Sequence, residues 1–169
     1  MNTTSIIIIG AVFLVCFLLM IPAYFYAQRL KNRAAAFVEN NKQRAVLRFY
    51  SDKATIDGKK LKAFDYSKGR DMEMVVALEP GKHTISGKFS AQDLAITGNQ
   101  KYVMPKPVDI NVELERGFIY TIGLYFEEPY EVAIETNSKV AAAHELKISG
   151  LLAKHKAAYI ICLQSREYI

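Results

Sequence analysis

The sequence contains little of what most catalytic and metal sites need. Its three histidines, His83, His144 and His155, lie far apart, and none has a neighbour at the spacing of a zinc site or a catalytic triad. The Gly-Lys pairs at Gly58 and Gly81 lack the glycine-rich lead and the serine or threonine of a phosphate-binding loop. We therefore predict no catalytic residue, no cofactor and no metal, and hence a protein that is not an enzyme.

Cysteine is also scarce, which limits the redox chemistry open to the chain. Cys16 lies in the apolar N-terminal stretch and Cys162 lies near the other end, so we expect no intrachain disulfide. This usage agrees with a reducing compartment. Because Cys162 stands inside an apolar run, the sequence predicts an inert buried thiol there.

Charge is missing from the N-terminal part of the chain, where no charged side chain precedes Arg29. Residues 6–26 are almost entirely apolar, and a helix of that length spans about 30 Å, the thickness of a bilayer's hydrocarbon core. A cleaved export signal would need a basic start and a small-x-small site, but Phe25 stands two places before the nearest candidate end, Ala27. We therefore predict a transmembrane anchor over residues 1–28, with the lipid bilayer as a partner.

Three aromatic residues end the apolar run and three basic residues follow it, where we expect the membrane–water interface. They are Tyr24, Phe25, Tyr26, Arg29, Lys31 and Arg33. Aromatic rings favour the headgroup region, and the one-sided basic flank predicts a single-pass protein whose remaining chain lies in the cytoplasm. Binding of the same basic residues to anionic headgroups would suit either side, so an extracytoplasmic domain is the alternative.

The next segment, residues 29–44, predicts an amphipathic helical stem. Five residues recur at helical spacing with charged residues between them, namely Leu30, Ala34, Phe37, Val38 and Asn41. We expect this stripe to pack against the chain's own domain rather than to dock a partner.

After Ala45 the apolar residues alternate, as is typical of half-buried strands, and residues 45–169 predict one β-domain. Asp57-Gly58 suits a tight hairpin turn. Pro80-Gly81 suits a type II turn, and we expect it to join residues 71–78 and 83–89 as a hairpin. Several short strands at this spacing favour a small antiparallel β-sandwich or open barrel.

The clearest alternation lies in residues 108–126, around a turn at Arg116-Gly117. Val108, Ile110, Val112 and Leu114 should face one way, and Phe118, Tyr120, Ile122, Leu124 and Phe126 should line the buried side of the returning strand. Residues 130–136 are expected to add a strand. Ser138 could cap a short helix towards the C-terminus, and the apolar residues 157–164 suit a final strand or a segment buried in a partner.

The order IDGKKL, LEPGKHTISGKF and VDINVELERGFIYTIGL resembles the PEGA-like and transthyretin-like modules, which are small β-sandwiches. The resemblance covers residues 45–126 and rests on the "DG" hairpin, the "PGxH" turn and the closing strands with glycine and tyrosine. It implies a non-catalytic, envelope-associated or surface-display module. Many such modules are extracytoplasmic, whereas the basic flank here favours the cytoplasm.

Acidic residues are concentrated in residues 107–137, which carry seven of them against the single base Arg116. Asp109, Asn111, Glu113 and Glu115 should share one strand face, which we predict as a surface for a protein partner at the membrane. A plain solvated sheet face explains the same pattern. No concentrated basic stripe with exposed aromatics is present, so we expect no nucleic-acid partner.

Together these patterns predict a mainly β protein with a transmembrane helix, an amphipathic stem and a small sandwich that binds or scaffolds partners at the membrane. The alternative is a pilin-like filament or secretion-system subunit that assembles through its apolar helix. Against that alternative, Ser5 stands where a pilin-type acidic residue would be expected, and no basic leader ending in glycine precedes the apolar run.

Overall fold

The computed structural model describes residues 3–51, 53–70, 73–93, 100–103, 106–146 and 158–166. Within these ranges, the side chains of residues 3–16, 19, 23, 90–93 and 100–103 lie outside the description. The described chain forms two helices, twelve strands and a short 3-10 turn at Leu61–Ala63.

The elements follow one another in the order helix, ten strands, helix, two strands. Helix α1 spans Thr3–Asn40 and helix α2 spans Pro129–Glu135. The strands are β1 Ala45–Tyr50, β2 Thr55–Ile56, β3 Lys59–Lys60, β4 Asp65–Lys68, β5 Glu73–Leu78, β6 Gly81–Gly87, β7 Ser90–Asp93, β8 Gln100–Val103, β9 Val108–Leu114, β10 Ile119–Tyr125, β11 Lys139–Leu146 and β12 Ala158–Ser165.

The strands form three sheets. A six-stranded sheet has the order β11-β12-β10-β1-β5-β4, a four-stranded sheet has the order β3-β2-β6-β9, and β7 pairs with β8. The described pairs are antiparallel except β1 with β10, which is parallel. The prediction of a mainly β domain built from antiparallel strands is confirmed, with this one parallel pair at the centre of the larger sheet.

The two larger sheets share one core, to which alternate side chains of their strands contribute. Phe49 from the six-stranded sheet and Ile85 from the four-stranded sheet are both fully buried in it. The predicted alternation of β9 and β10 is confirmed, because the side chains expected to face inward belong to this core. They are Val108, Ile110, Val112, Leu114, Phe118, Tyr120, Ile122, Leu124 and Phe126.

The C-terminal part of α1 packs against the outer face of the six-stranded sheet. Ala34 and Val38 are buried there against Val46, Val75 and Ile119, and Phe37 adds partly buried area. The apolar stripe of the stem therefore packs on the chain's own domain, as expected. The helix ends where the Asn41 side chain donates to the Phe37 carbonyl oxygen at 2.8 Å.

Two turns that were expected to close hairpins instead carry the chain from one sheet to the other. β5 has β1 and β4 on its two edges, so neither edge is free for β6, which pairs with β2 and β9. The predicted hairpin around Pro80-Gly81 is therefore wrong. Likewise Gly117, at φ +80°, forms the predicted turn, but β9 and β10 lie in different sheets.

After β10, a helix replaces the predicted strand, and a strand replaces the predicted helix. The strand expected at residues 130–136 is helix α2, which begins with Pro129, a residue whose fixed φ and missing N–H suit a first helical turn. The helix expected from Ser138 is strand β11, despite its alanine-rich sequence. β11 pairs with β12 from Lys139 to Leu146, so tertiary pairing overrides local helix propensity.

The predicted final strand is confirmed as β12, which is more central than expected. It pairs with both β10 and β11. Its outward side chains Ile161 and Leu163 pack against Val132 and Ala133 of α2. Each helix therefore covers one part of the outer face of the six-stranded sheet.

Burial of Ala34 predicts that a charge at this position will disrupt the contact between stem and sheet. Ala34→Glu should lower the free energy of unfolding of the β-domain by about 3 kcal/mol, because its carboxylate would be buried without a partner. Urea unfolding of the full-length chain in detergent micelles measures this change. Ala36→Glu is the matched control, since Ala36 is exposed on the same helix. Equal effects of the two substitutions would contradict the packing.

Candidate functional site

The apolar half of α1 exposes large side chains on nearly all sides. Those that are exposed among the described side chains are Phe17, Leu18, Met20, Ile21, Tyr24, Phe25 and Tyr26. Consecutive residues of a helix point about 100° apart, so Tyr24, Phe25 and Tyr26 cannot belong to a single stripe. A helix that is apolar all round is typical of a segment whose surroundings are apolar on every side.

The predicted interface residues form a short section between this apolar half and the packed stem. Arg29, Lys31 and Arg33 are exposed, and they lie between Tyr26 and the buried Ala34. Ala34 lies eight positions after Tyr26 on the helix, a rise of about 12 Å. The aromatic residues are therefore held close to the domain by continuous helix.

Over the residues that the structure describes, no helix is both long enough and apolar enough to cross a membrane. Most side chains of the predicted anchor at residues 1–28 lie outside the description. The anchor therefore stays a prediction.

The predicted acidic surface is divided by the structure. Asp109, Asn111 and Glu113 are exposed on the outer face of β9, as their alternation predicted. Glu115 follows the strand and instead lines a separate cavity of ≈ 440 Å³ together with Lys139 and Arg166. Three of the four residues therefore share one surface.

The side chains on the outer face of β9 have cross-strand neighbours on β6. Glu113 is opposite Lys82, and Asp109 is opposite Ser86. The Thr84 hydroxyl donates to the Asn111 side-chain oxygen at 2.7 Å. Cross-strand pairs of this kind stabilise a sheet, so this surface has a structural explanation beside the predicted partner-binding one.

A contact between two turns explains residues that the sequence placed in separate motifs. His83 Nδ1 lies 2.7 Å from Asp57 Oδ2, and His83 Nε2 lies 2.9 Å from the Glu79 carbonyl oxygen. The Thr84 N–H also donates to Asp57 Oδ1 at 2.9 Å. Both ring nitrogens of His83 face acceptors, so only the protonated ring donates to both. The "DG" hairpin is thereby joined to the "PGxH" turn.

The environment of Asp57 favours its charged form. Desolvation raises the pKa of its carboxyl, but the hydrogen bonds from the Thr84 N–H and from His83, with the nearby charges of His83 and Lys59, outweigh desolvation and leave the pKa lowered. The spacing of the histidines along the chain gave no indication of this carboxylate partner of His83. The paired "DG" and "PGxH" motifs were the available signal.

A buried ion pair lies on the outer face of the six-stranded sheet. Arg48 Nε donates to Glu73 Oε1 at 2.7 Å, and the two side chains are only 10% and 6% exposed. Gly69 leaves room for this carboxylate, since a Cβ at that position would come within 1.9 Å of Glu73 Oε2. Nearby, burial raises the pKa of Tyr125 to about 12. This pair was not predicted from the sequence, although Arg48 interrupts an otherwise apolar strand.

The remaining reactive side chains do not assemble into a recognisable centre in the described ranges. Cys162 is fully buried, as predicted, and burial raises the pKa of its thiol to about 12, which disfavours the reactive thiolate. His144 is exposed, and His155 lies outside the described residues. Among the described residues, no three His, Cys, Asp or Glu side chains gather as a metal site would require. The absence of a catalytic function stays a prediction.

The contact of Asp57 with His83 and Thr84 predicts a specific dependence of stability on pH. Because its pKa is lowered by folding, the Asp57 carboxylate stabilises the fold above the unfolded value of about 4, and this contribution is lost as pH falls through the folded pKa. The native chain should therefore exceed Asp57→Asn in urea stability at pH 5 by more than it does at pH 3. Asparagine tolerates the positive φ of 51° at this position. A difference that stays equal at both pH values would contradict the role of charge, and Asp109→Asn serves as the exposed control.

The Arg48–Glu73 pair predicts strong non-additivity. Arg48→Met alone leaves the buried Glu73 carboxylate without this partner and should cost about 3–5 kcal/mol in the free energy of unfolding. Combining it with Glu73→Leu should recover most of that loss, because no unpaired charge stays buried. Chemical denaturation of both variants measures the difference. A double variant at least as unstable as Arg48→Met would show that the pair itself stabilises the fold.

No protein-family model, curated protein or solved structure matches the chain. The resemblance to PEGA-like and transthyretin-like modules stays a prediction.

Proposed function

We propose that the chain is a single-pass membrane protein whose β-sandwich, without catalytic activity, binds or scaffolds partners at the membrane surface. The apolar half of α1 is the membrane anchor in this proposal. Tyr24, Phe25 and Tyr26 lie among the headgroups, and Arg29, Lys31 and Arg33 contact lipid phosphates. The basic flank favours a cytoplasmic domain by the positive-inside rule, with an extracytoplasmic domain as the alternative.

The continuity of α1 is the observation that carries this proposal. The helix runs from Thr3 to Asn40 through Pro22, and its last part is packed against the six-stranded sheet. A flexible linker would let a domain move freely above the bilayer, whereas a packed helix fixes its height and orientation. The segment of α1 just before the packed part exposes its apolar and aromatic side chains.

Tethering is the mechanism that these features support. Confinement of a domain to a thin layer raises its effective concentration for partners on the same surface without any new contact. A fixed orientation adds to this effect, because the same faces always point along or away from the membrane. The outer face of β9, with Asp109, Asn111 and Glu113, is the proposed surface for a protein partner.

A pilin-like subunit is the second candidate. A long helix with a free apolar half and a second half packed on a β-sheet also suits assembly into a filament core. In that case the exposed side chains from Phe17 to Tyr26 would contact other copies of the helix rather than lipid. Ser5, in place of an acidic residue near the start of the apolar helix, argues against this alternative.

An anchor held by apolar contacts predicts resistance to salt and to alkaline carbonate. Full-length protein should stay in the membrane fraction after both washes and should be released by detergent. A variant with Arg29, Lys31 and Arg33 all changed to glutamine should behave in the same way, because screening by salt acts on charges and not on apolar burial. Release of the native chain by salt alone would contradict an anchor and indicate electrostatic attachment.

A further inference from the structure

A pocket opens between the edges of the two larger sheets, where β4 ends one sheet and β3 ends the other. Its volume is ≈ 350 Å³, which is in the range of small-ligand sites. The residues that line this lysine pocket are Lys53, Ala54, Thr55, Lys60, Leu61, Lys62, Tyr66, Lys68 and Met74.

Positive charge converges on the rim of the lysine pocket. Lys53, Lys60, Lys62 and Lys68 are all exposed, and none of the described lining residues is acidic. Asp52 and Asp71, which neighbour this segment in sequence, lie outside the described residues. Within the described ranges, no ion pair involves these four lysines, whereas Lys42 is paired with Glu39 and Arg44 with Asp65. Like charges around one cavity create a positive potential that an anion would relieve.

The floor of the lysine pocket is apolar. Ala54, Leu61 and Met74 belong to the buried core, and Tyr66 is partly exposed at the side. A basic rim above an apolar floor suits a compact anion rather than a long polyanion, which would need an extended basic stripe. Lysine ammonium groups are point charges that suit the oxygens of a phosphate group.

The lysine pocket lies beside α1, because β4, which contributes Tyr66 and Lys68 to it, contacts this helix. Only residues 41–44 separate α1 from β1, and Val46 of β1 packs against Ala34 and Val38 of the helix. β4 runs in the same direction as β1, since both are antiparallel to β5. β4 begins at Asp65, whose carboxylate oxygen lies 2.9 Å from a guanidinium nitrogen of Arg44. Arg44 follows the C-terminus of α1 in the chain. Lys68 lies three residues after Asp65, about 10 Å along β4.

We propose that the lysine pocket binds a phosphate-bearing anion, supplied either by a lipid headgroup at the membrane surface or by a small soluble phosphate ester. The lipid source rests on the proposed membrane attachment, whereas the soluble source does not. Ammonium groups around the rim would contact the phosphate oxygens, and the apolar floor would accommodate the adjoining carbon atoms.

Protection of lysines from an amine-modifying reagent tests this proposal residue by residue. Full-length protein is compared in nanodiscs of phosphatidylcholine alone, in nanodiscs containing phosphatidylglycerol, and in phosphatidylcholine nanodiscs with added glycerol phosphate. In one of the two anionic conditions, modification of Lys60, Lys62 and Lys68 should fall about tenfold when the pocket is nearly saturated. Lys82 and Lys106, which are exposed elsewhere, should keep their reactivity.

The condition that gives protection identifies the source of the phosphate. Protection only by phosphatidylglycerol indicates a lipid headgroup, and protection by glycerol phosphate indicates a soluble ester. Lack of protection in both conditions, or equal protection of Lys82 and Lys106, would overturn the proposal. Failure of the protein to float with phosphatidylcholine vesicles would contradict membrane attachment. In that case, the glycerol phosphate test repeated in detergent micelles would still show whether the lysine pocket binds a soluble phosphate ester.

A paired substitution provides the second test. Lys60→Gln with Lys68→Gln should weaken binding of the protecting ligand about tenfold, through loss of two charge-assisted contacts. Lys82→Gln with Lys106→Gln removes the same charge elsewhere and should leave binding unchanged. All four side chains are exposed, so thermal unfolding should be similar in both variants. Unchanged binding in the pocket variant, or an equal loss in both, would overturn the proposal.

Discussion

The packing of the helical stem against the six-stranded sheet is the contact on which the rest of the structure depends. Ala34 and Val38 cover Val46, Val75 and Ile119, side chains that would otherwise form an exposed apolar patch. Because the opposite face of the same strands lines the core, β1 and β5 are buried on both sides. The buried Arg48–Glu73 pair lies on these two strands, so its charges must neutralise one another.

This contact also determines how the ends of the domain differ. Beyond the C-terminus of the helix, Arg44 pairs with Asp65 and Glu79, so basic and acidic groups compensate there. Arg29, Lys31 and Arg33 lie towards the apolar half of the helix, and the lysine pocket is lined by residues of β4, a strand that contacts α1. If the phosphate comes from a lipid headgroup, the proposed anchoring and the proposed phosphate binding would both act at the membrane surface.

Local pattern predicted the inward and outward sides of the strands but not their partners. Alternation identified the buried side chains of β9 and β10, because that period follows from strand geometry alone. It could not show that the turns at Gly81 and Gly117 pass between sheets, since this depends on which strand edges are already paired. Residues 130–136 and β11 were likewise assigned the wrong type of element. In β11, pairing with the edge of β12 overrode the helix propensity of an alanine-rich segment.

The candidate functional residues were likewise predictable only where they lie close together in the sequence. The aromatic and basic residues of α1 and the acidic residues of β9 could be grouped from the sequence because each set lies within one short segment, and their roles stay predictions. The Asp57–His83 contact, the Arg48–Glu73 pair and the lysine pocket each join residues that are far apart along the chain. The residues of these sites can be read from the sequence one by one, but only the folded topology brings them together.

In the proposed arrangement one rigid helix leaves the lipid and enters the fold without a linker. Spin labels placed singly along residues 17–40 of the bilayer-reconstituted chain, read by their accessibility to oxygen and to a water-soluble reagent, test this arrangement. We expect lipid exposure on all sides up to Tyr26, then a helical period of about 3.6 residues in which only the Ala34 and Val38 side is shielded. Water accessibility on all sides between Phe17 and Tyr26, or loss of the helical period before Ala34, would contradict it.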